Sequence, residues 1–450
     1  MAQQFDSSTI VKRVYTDSKT VLGVNNICQA LFPYDGTHKP GEDLREHIWY
    51  THIHGPTIGG RQRAPSLRKP VAARGVQPAI NGTQLIIRAQ MGYLAKWQTL
   101  QTEQAFEEAM VAERRQLELS LRLYIEILLM YGRHEWGLAK VDAVDNVNKK
   151  VSITAPSWSP GLWGQLINSR VDIVLPTVTN NVATAYTARA GASDLQVDHI
   201  VDTASAREVW FTNPNEDTGI VPDLSLVQQG DIIILNTALT AAAIQEGFGL
   251  LAIFQQQAGT SHTGVNLSTV YQLQPNHYDA VGDVLDFGRI LSATNQVIPK
   301  GGHGTFYALV PPHVHTALDT QMAGFRRTDS SYSSKKFVNG VEGIELVGQA
   351  GTTIVTPHPF MMDGKALILP VKQTPPMVEG QVNPDLKGVN IRRVGEVEAA
   401  YAYPGGEPME IPFLQDVAAD ERRGYSSQAP LVSAAGHGVF VDNFLNTRWS

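Results

Sequence analysis

Leu121-Arg-Leu-Tyr-Ile-Glu-Ile-Leu-Leu-Met-Tyr-Gly132, followed shortly by Val141-Asp-Ala-Val-Asp145, is where the chain changes its period. Upstream of Gly132, Phe106, Met110, Leu117, Leu121, Tyr124, Leu128 and Tyr131 follow steps of three and four, which marks the apolar stripe of one long helix. Glu113 and Arg114 interrupt the stripe, and from Leu119 onward the run is apolar almost all round. That end of the helix is expected to be enclosed on several sides. Glu103, Glu107 and Glu108 make an acidic opening that suits the helix macrodipole, and Gly132 reads as the stop. Glu118, Arg122 and Glu126 make the most apolar window, Leu117 to Met130, too short and too charged to span a bilayer.

Downstream the period becomes two. Val141 to Asp145 followed by Val151-Ser-Ile153 reads as strand, turn, strand. Val197-Asp-His-Ile-Val-Asp202 with Val209-Trp-Phe211 repeats the pattern, and Gly230 to Leu235 adds a buried strand. We read paired hairpins in a small β-rich insertion. Residues 285 to about 370 read as α+β: a helix near Val284 to Ile298, the strand Thr305 to Val310, a helix His313 to Ala323, then strands Gly343 to Val347, Thr352 to Thr356 and Lys365 to Leu369. Beyond 371 the pattern weakens into acidic, Pro- and Gly-containing loops.

Residues 47–96 hold no Asp or Glu but carry Arg61, Arg63, Arg68, Lys69, Arg74, Arg88 and Lys96. Gly55, Pro56, Gly59, Gly60, Pro65, Pro70, Gly75, Pro78 and Gly82 forbid a helix over most of that zone. The zone, with extended runs such as Thr83 to Ile87, reads as a long, two-stranded projecting loop whose first half lacks enough apolar residues for a core of its own. Residues 1–46 read as an irregular arm with the turn signal Pro33-Tyr34-Asp35-Gly36.

Composition sets the outer limits. The 450 residues are 43% hydrophobic and 18% charged, with 39 Gly, 25 Pro and a net charge of −7. Disorder throughout and a dedicated nucleic-acid binder are both excluded. The single cysteine, Cys28, excludes an internal disulfide and a Cys-rich zinc site. With no secretory signal in the polar start, a soluble protein made in a cytoplasm is expected.

Little of the chain has the texture of a catalytic site. His52-Ile-His54 and His313-Val-His315 are metal-like, because an H-x-H pair on a strand turns both imidazoles to one face. Neither has a companion carboxylate at ligand spacing. Gly59-Gly60 and Gly301-Gly302-His303-Gly304 lack the Lys-Ser/Thr of a phosphate loop, and no G-x-S-x-G or H-E-x-x-H occurs. Thr356-Pro-His-Pro-Phe360 reads as a strand end turned by two prolines. No catalytic, cofactor or metal residue is assigned. The basic loop, which cannot fold alone, is instead expected to lie on the acidic helix opening of a sister molecule. The contact candidates are Arg61, Arg63, Arg68, Lys69 and Arg74 against Glu103, Glu107 and Glu108.

The helix end with its Val-Asp hairpin, the segment Gly301 to Val310, and Glu345 to Leu369 resemble the major capsid proteins of tailed double-stranded-DNA bacteriophages. The zone order resembles that family's Hong Kong 97 capsid fold, over roughly residues 60–370. The resemblance implies an α+β chain with an N-terminal arm (1–46) and an extended loop (47–96). A spine helix and peripheral domain (97–175), a β-rich insertion or peripheral region (176–284), an axial domain (285–410) and a C-terminal segment (411–450) follow. It implies a non-enzymatic shell subunit forming hexamers and pentamers around double-stranded DNA in the virion, with no cofactor and no membrane. A separate scaffolding protein and a portal are implied partners, a cement protein is an optional one, and Lys69 is not predicted to crosslink. The alternatives are an encapsulin-like compartment, separable by the shell's contents, and a metal-dependent enzyme using the paired histidines, separable by metal analysis.

Overall fold

The computed structural model describes residues 26–35, 48–54, 56, 69–77, 83–92, 103–212, 222–236, 238–240, 243–326, 344–373, 390–400 and 419–446. The chain is α+β, built from two large sheets, a smaller four-stranded sheet and one long helix. Helix α1 is Ile27–Leu31 and α2, the long one, is Glu103–Tyr131. Leu121, Ile125, Ile127, Leu129 and Met130 of α2 are all buried, so the region without a polar face is enclosed as its composition requires. Gly132 has a different reason from the expected one. The left-handed residue after the helix is Arg133 (φ 54°), whereas a Cβ on Gly132 would lie 2.3 Å from the Gly247 carbonyl oxygen. The glycine permits two backbones to touch.

After α2 come β5 (Ala139–Asp145), β6 (Lys150–Ile153), α3 (Pro160–Gln165), β7 (Arg170–Thr179), β8 (Val182–Ala188), β9 (Leu195–Asp202), β10 (Arg207–Thr212) and β11 (Ile232–Leu235). The hairpins β5–β6 and β9–β10 join through β6 and β10, where Val151 faces Val209. These seven strands form one sheet, ordered β11-β7-β9-β10-β6-β5 with β8 on β7. The boundary expected at 175/176 therefore falls inside β7, and the insertion is not separate from the peripheral region. Trp158 and Trp163, stacked with centroids 6.4 Å apart, are fully buried beside this sheet.

The second large sheet has six strands, ordered β14-β21-β18-β15-β17-β16. They are β14 (Asn276–Asp279), β15 (Gly304–Val310), β16 (Ile344–Gly348), β17 (Gly351–Pro357), β18 (Lys365–Gln373) and β21 (Val439–Asp442). Helices α5 (Phe287–Asn295) and α6 (Pro312–Arg326) follow the expected spans closely, and α4 is Leu250–Gln255. Two of the six strands lie outside 285–410, so the axial and C-terminal zones also merge.

The weak pattern beyond 371 misleads most. β19 (Ile391–Ala400) and β20 (Ala419–Val432) form a sheet with β1 (Tyr34–Asp35) and β4 (Thr83–Gly92), ordered β1-β19-β20-β4. Their alternation is masked by buried polar residues that find partners at long range. Arg392 pairs with Asp35 at 3.1 Å, and Arg393 donates to the Phe32 carbonyl and to Gln428. Within the arm, residues 26–35 form α1 and β1 rather than the expected irregular segment. The extended loop divides as well: β2 (Ile48–Trp49) pairs with β3 (Gly75–Val76), whereas β4 pairs over its whole length with β20.

Candidate assembly surface

Among the described residues, the root of the loop carries exposed apolar side chains. Ile48 is buried and packs with Tyr50 on Val265, Leu267, Val270 and Leu273. Trp49, Ile53 and Val71 are 60%, 72% and 57% exposed. The ribbon is held by backbone bonds, His54 with Val71 and both Tyr50 and Thr51 with the Arg74 carbonyl, while the Arg74 N–H donates to Thr51 Oγ1 at 2.6 Å. Between ribbon and body lies a groove of about 340 Å³, lined among others by Tyr50, His54, Val71, Arg74 and Val270. An isolated two-stranded ribbon is marginal in water, and clustered exposed apolar side chains mark contact surfaces.

Of the contact candidates, Lys69 and Arg74 are exposed on this ribbon. Arg61, Arg63 and Arg68 lie outside the described residues. Glu103, Glu107 and Glu108 occupy the opening turns of α2. The pairing of loop cations with helix acids is thus left as a proposal.

His52 and His54 are exposed on the ribbon. His313 and His315 do not share a face: they sit in the first turn of α6, where residues two apart point in nearly opposite directions. His313 Nδ1 lies 3.6 Å from Asp363, while burial pulls the His315 pKa down against the opposing pull of Asp319. The glycine cluster 301–304 ends a short 3-10 turn and enters β15, with no helix behind it to cradle a phosphate.

A buried cluster that the sequence reading missed joins the arm, the long helix and the segment after β17. Glu126 is fully buried, and three N–H donors converge on it: Cys28 N at 2.6 Å, Gln29 N at 3.2 Å and His358 Nε2 at 3.1 Å. His358 Nδ1 accepts from the Phe360 N–H at 3.1 Å, so the neutral ring carries its proton on Nε2. Cys28 Sγ lies 3.6 Å from that nitrogen. The three side chains are close enough to hold an ion. However, the nitrogen facing Cys28 and Glu126 has no lone pair to offer. Burial, then Glu126, pushes the Cys28 thiol well above its ordinary value, which makes it a poor nucleophile. The cluster is a three-way staple.

Lys365 makes a second tie. It is sandwiched between Trp136 (4.1 Å) and Phe440 (4.9 Å) and lies 3.5 Å from Asp442, which also faces His277 Nε2 at 2.9 Å. Trp136 follows α2 and Phe440 lies in β21, so the lysine bridges the two large sheets' regions. Only the single apolar-run acid Glu126 hinted at either tie in the sequence.

No protein-family model and no curated protein matches this chain. Among solved structures, it is similar to the capsid asymmetric unit of cyanophage A-1(L), at 8% identity over 96% of both chains with a TM-score of 0.49. It is similar to the capsid of cyanophage P-SCSP1u at 8% identity, over 97% of this chain and 93% of that one, with a TM-score of 0.40. The capsid of Ralstonia phage GP4 is similar at 8% identity over 96% and 95%, with a TM-score of 0.37.

Proposed function

We propose that this chain is the shell-forming subunit of a tailed-phage capsid, a structural protein without catalytic activity. Copies associate into hexamers and pentamers that close around double-stranded DNA in the virion. Assembly takes place in the host cytoplasm with a separate scaffolding protein and a portal. The observation that carries this reading is the loop root. Trp49, Ile53 and Val71 project from a ribbon too small to bury them, beside the cations Lys69 and Arg74. Such a surface is completed by another molecule, and a sister copy supplies the acidic helix opening that matches its charge. The negative net charge of −7 suits a container that holds a polyanion without gripping it.

Sedimentation and electron microscopy of the expressed protein test the reading. Wild type is expected as capsomers, shells or tubes. Deleting 55–92 would strip β20 of its partner β4, so the informative deletion is confined to 56–69. That variant is expected to stay folded and fail to close. Normal shells from it would refute the loop's role, and a stable monomeric wild type would refute the shell. Charge reversal at Arg61, Arg63 and Arg68 is expected to weaken assembly, with partial rescue by reversing Glu103, Glu107 and Glu108.

A further inference from the structure

Among the described residues two buried glutamates, Glu126 within α2 and Glu246 beside its end, differ in what surrounds them. Glu126 receives three N–H donors, whereas the Glu246 carboxyl meets the Arg133 backbone N–H at a long 3.4 Å and the Tyr186 hydroxyl. Glu246 opens the short segment that wedges α2 against the β4–β20 ribbon. Its carbonyl accepts from Arg133 Nε at 2.7 Å, and the Arg133 guanidinium sits 5.2 Å over the Phe248 ring. Phe248 in turn lines a small pocket with Ile125, Leu128 and Leu129 of α2, Leu85 of β4 and Pro430 of β20. The Gly247 N–H donates to Thr83 Oγ1, the first residue of β4, at 2.7 Å, and the Gly249 N–H donates to the Gly132 carbonyl at 2.8 Å. Within four residues the segment holds the helix end, the ribbon and the root of the extended strand.

We propose that Glu246 is a proton-operated latch in this joint: neutral, it lets the segment seat between α2 and β4, and charged, it loosens that seat. An enclosed carboxylate whose backbone hydrogen bond is long is costly to charge where burial outweighs the pull of the Arg133 guanidinium and the Tyr186 hydroxyl. Burial accordingly pushes the Glu246 carboxyl up to about 7, against smaller downward pulls from Arg133 and Tyr186. Arg133 comes from the turn after α2 and Tyr186 from β8, where burial and Glu246 push the phenol upward in return. The described part of β4 against the joint, Thr83 to Ile87, and α4 behind it carry no charged residue. The proposal does not depend on the shell reading.

The sign of the effect follows from linkage. In the open joint the carboxyl returns to its ordinary value of 4.5, while the seated form keeps its proton to about 7. The opening equilibrium is therefore lowest in acid, rises about tenfold per pH unit across that window, and levels off above it.

Hydrogen exchange of the full-length protein between pH 5 and 8, read as protection factors for peptides spanning 243–250 and 131–136, measures this. Wild type is expected to lose about fortyfold in protection from pH 5 to 7 and about seventyfold by pH 8, where the profile levels off. Glu246→Gln, neutral throughout, is expected to hold the acid-side protection at every pH. Tyr186→Phe, which removes a group favouring the charged form, is expected to move the levelling point to higher pH. A flat wild-type profile, a Glu246→Gln profile that falls like wild type, or an unmoved levelling point in Tyr186→Phe would each overturn the proposal. If Glu246→Gln fails to fold, the wild-type and Tyr186→Phe profiles decide.

Discussion

Replacing Glu126 by Gln removes one acceptor oxygen from a fully buried site where three donors converge. The amide's remaining oxygen can keep Cys28 N and His358 Nε2, but its NH₂ then points at the Gln29 N–H, donor against donor. Turning the amide over leaves two donors facing it instead. At least one hydrogen bond to a charged group, worth about 1.5–3 kcal/mol, is lost, and a buried donor left unpaired costs about 1–3 kcal/mol more. The expected loss is about 3–5 kcal/mol, a large share of a total of roughly 5–15 kcal/mol. His358→Gln should cost less, because its amide nitrogen can still donate to Glu126. Urea unfolding followed by the fluorescence of buried Trp158 and Trp163 measures both, and limited proteolysis reports release of the arm around α1. A Glu126→Gln loss below about 1 kcal/mol, unchanged proteolysis, or a larger loss in His358→Gln would refute the staple, since none is compatible with three donors depending on one carboxylate.

Two glycines give a matched pair. A Cβ at Gly436 would meet the Gln272 carbonyl oxygen at 1.9 Å, so Gly436→Ala must separate two backbones, with an expected loss of about 3 kcal/mol or more and a lower Tm. Gly164 in α3 has nothing within 4 Å of the new methyl, and Gly164→Ala should raise stability by up to about 1 kcal/mol. Thermal melts of both decide, and equal shifts would contradict the close approach. Val281 is β-branched, 76% exposed and held at φ 55°, so Val281→Asn should relieve about 1 kcal/mol of left-handed strain. An unchanged or lower Tm would indicate that the valine is covered by a partner.

The staple and the two merged domain boundaries were illegible for one physical reason. Glu126 reads as a charge interrupting an apolar run, and only a histidine 232 residues away and an arm helix 98 residues away turn it into an acceptor. Likewise the polar residues of β19 and β20 dilute a pattern whose buried partners, Asp35 in β1 and Phe32 just after α1, lie in the arm. His313 and His315 show the opposite error: the H-x-H reading applies strand geometry to a pair whose span reads as the start of a helix, which it is.

Local periodicity by itself determined the long helix to its last residue, the two Val-Asp hairpins, and the alternation of strands and helices from α5 to β18. Each of these buries one face, and a face repeats at the spacing of its own element. Tertiary structure alone decided which strands share a sheet, why Gly132 must be glycine, and where buried charge could be tolerated. Those outcomes rest on contacts between segments tens to hundreds of residues apart, and a hydrogen-bond partner at that distance leaves no periodic mark on either segment.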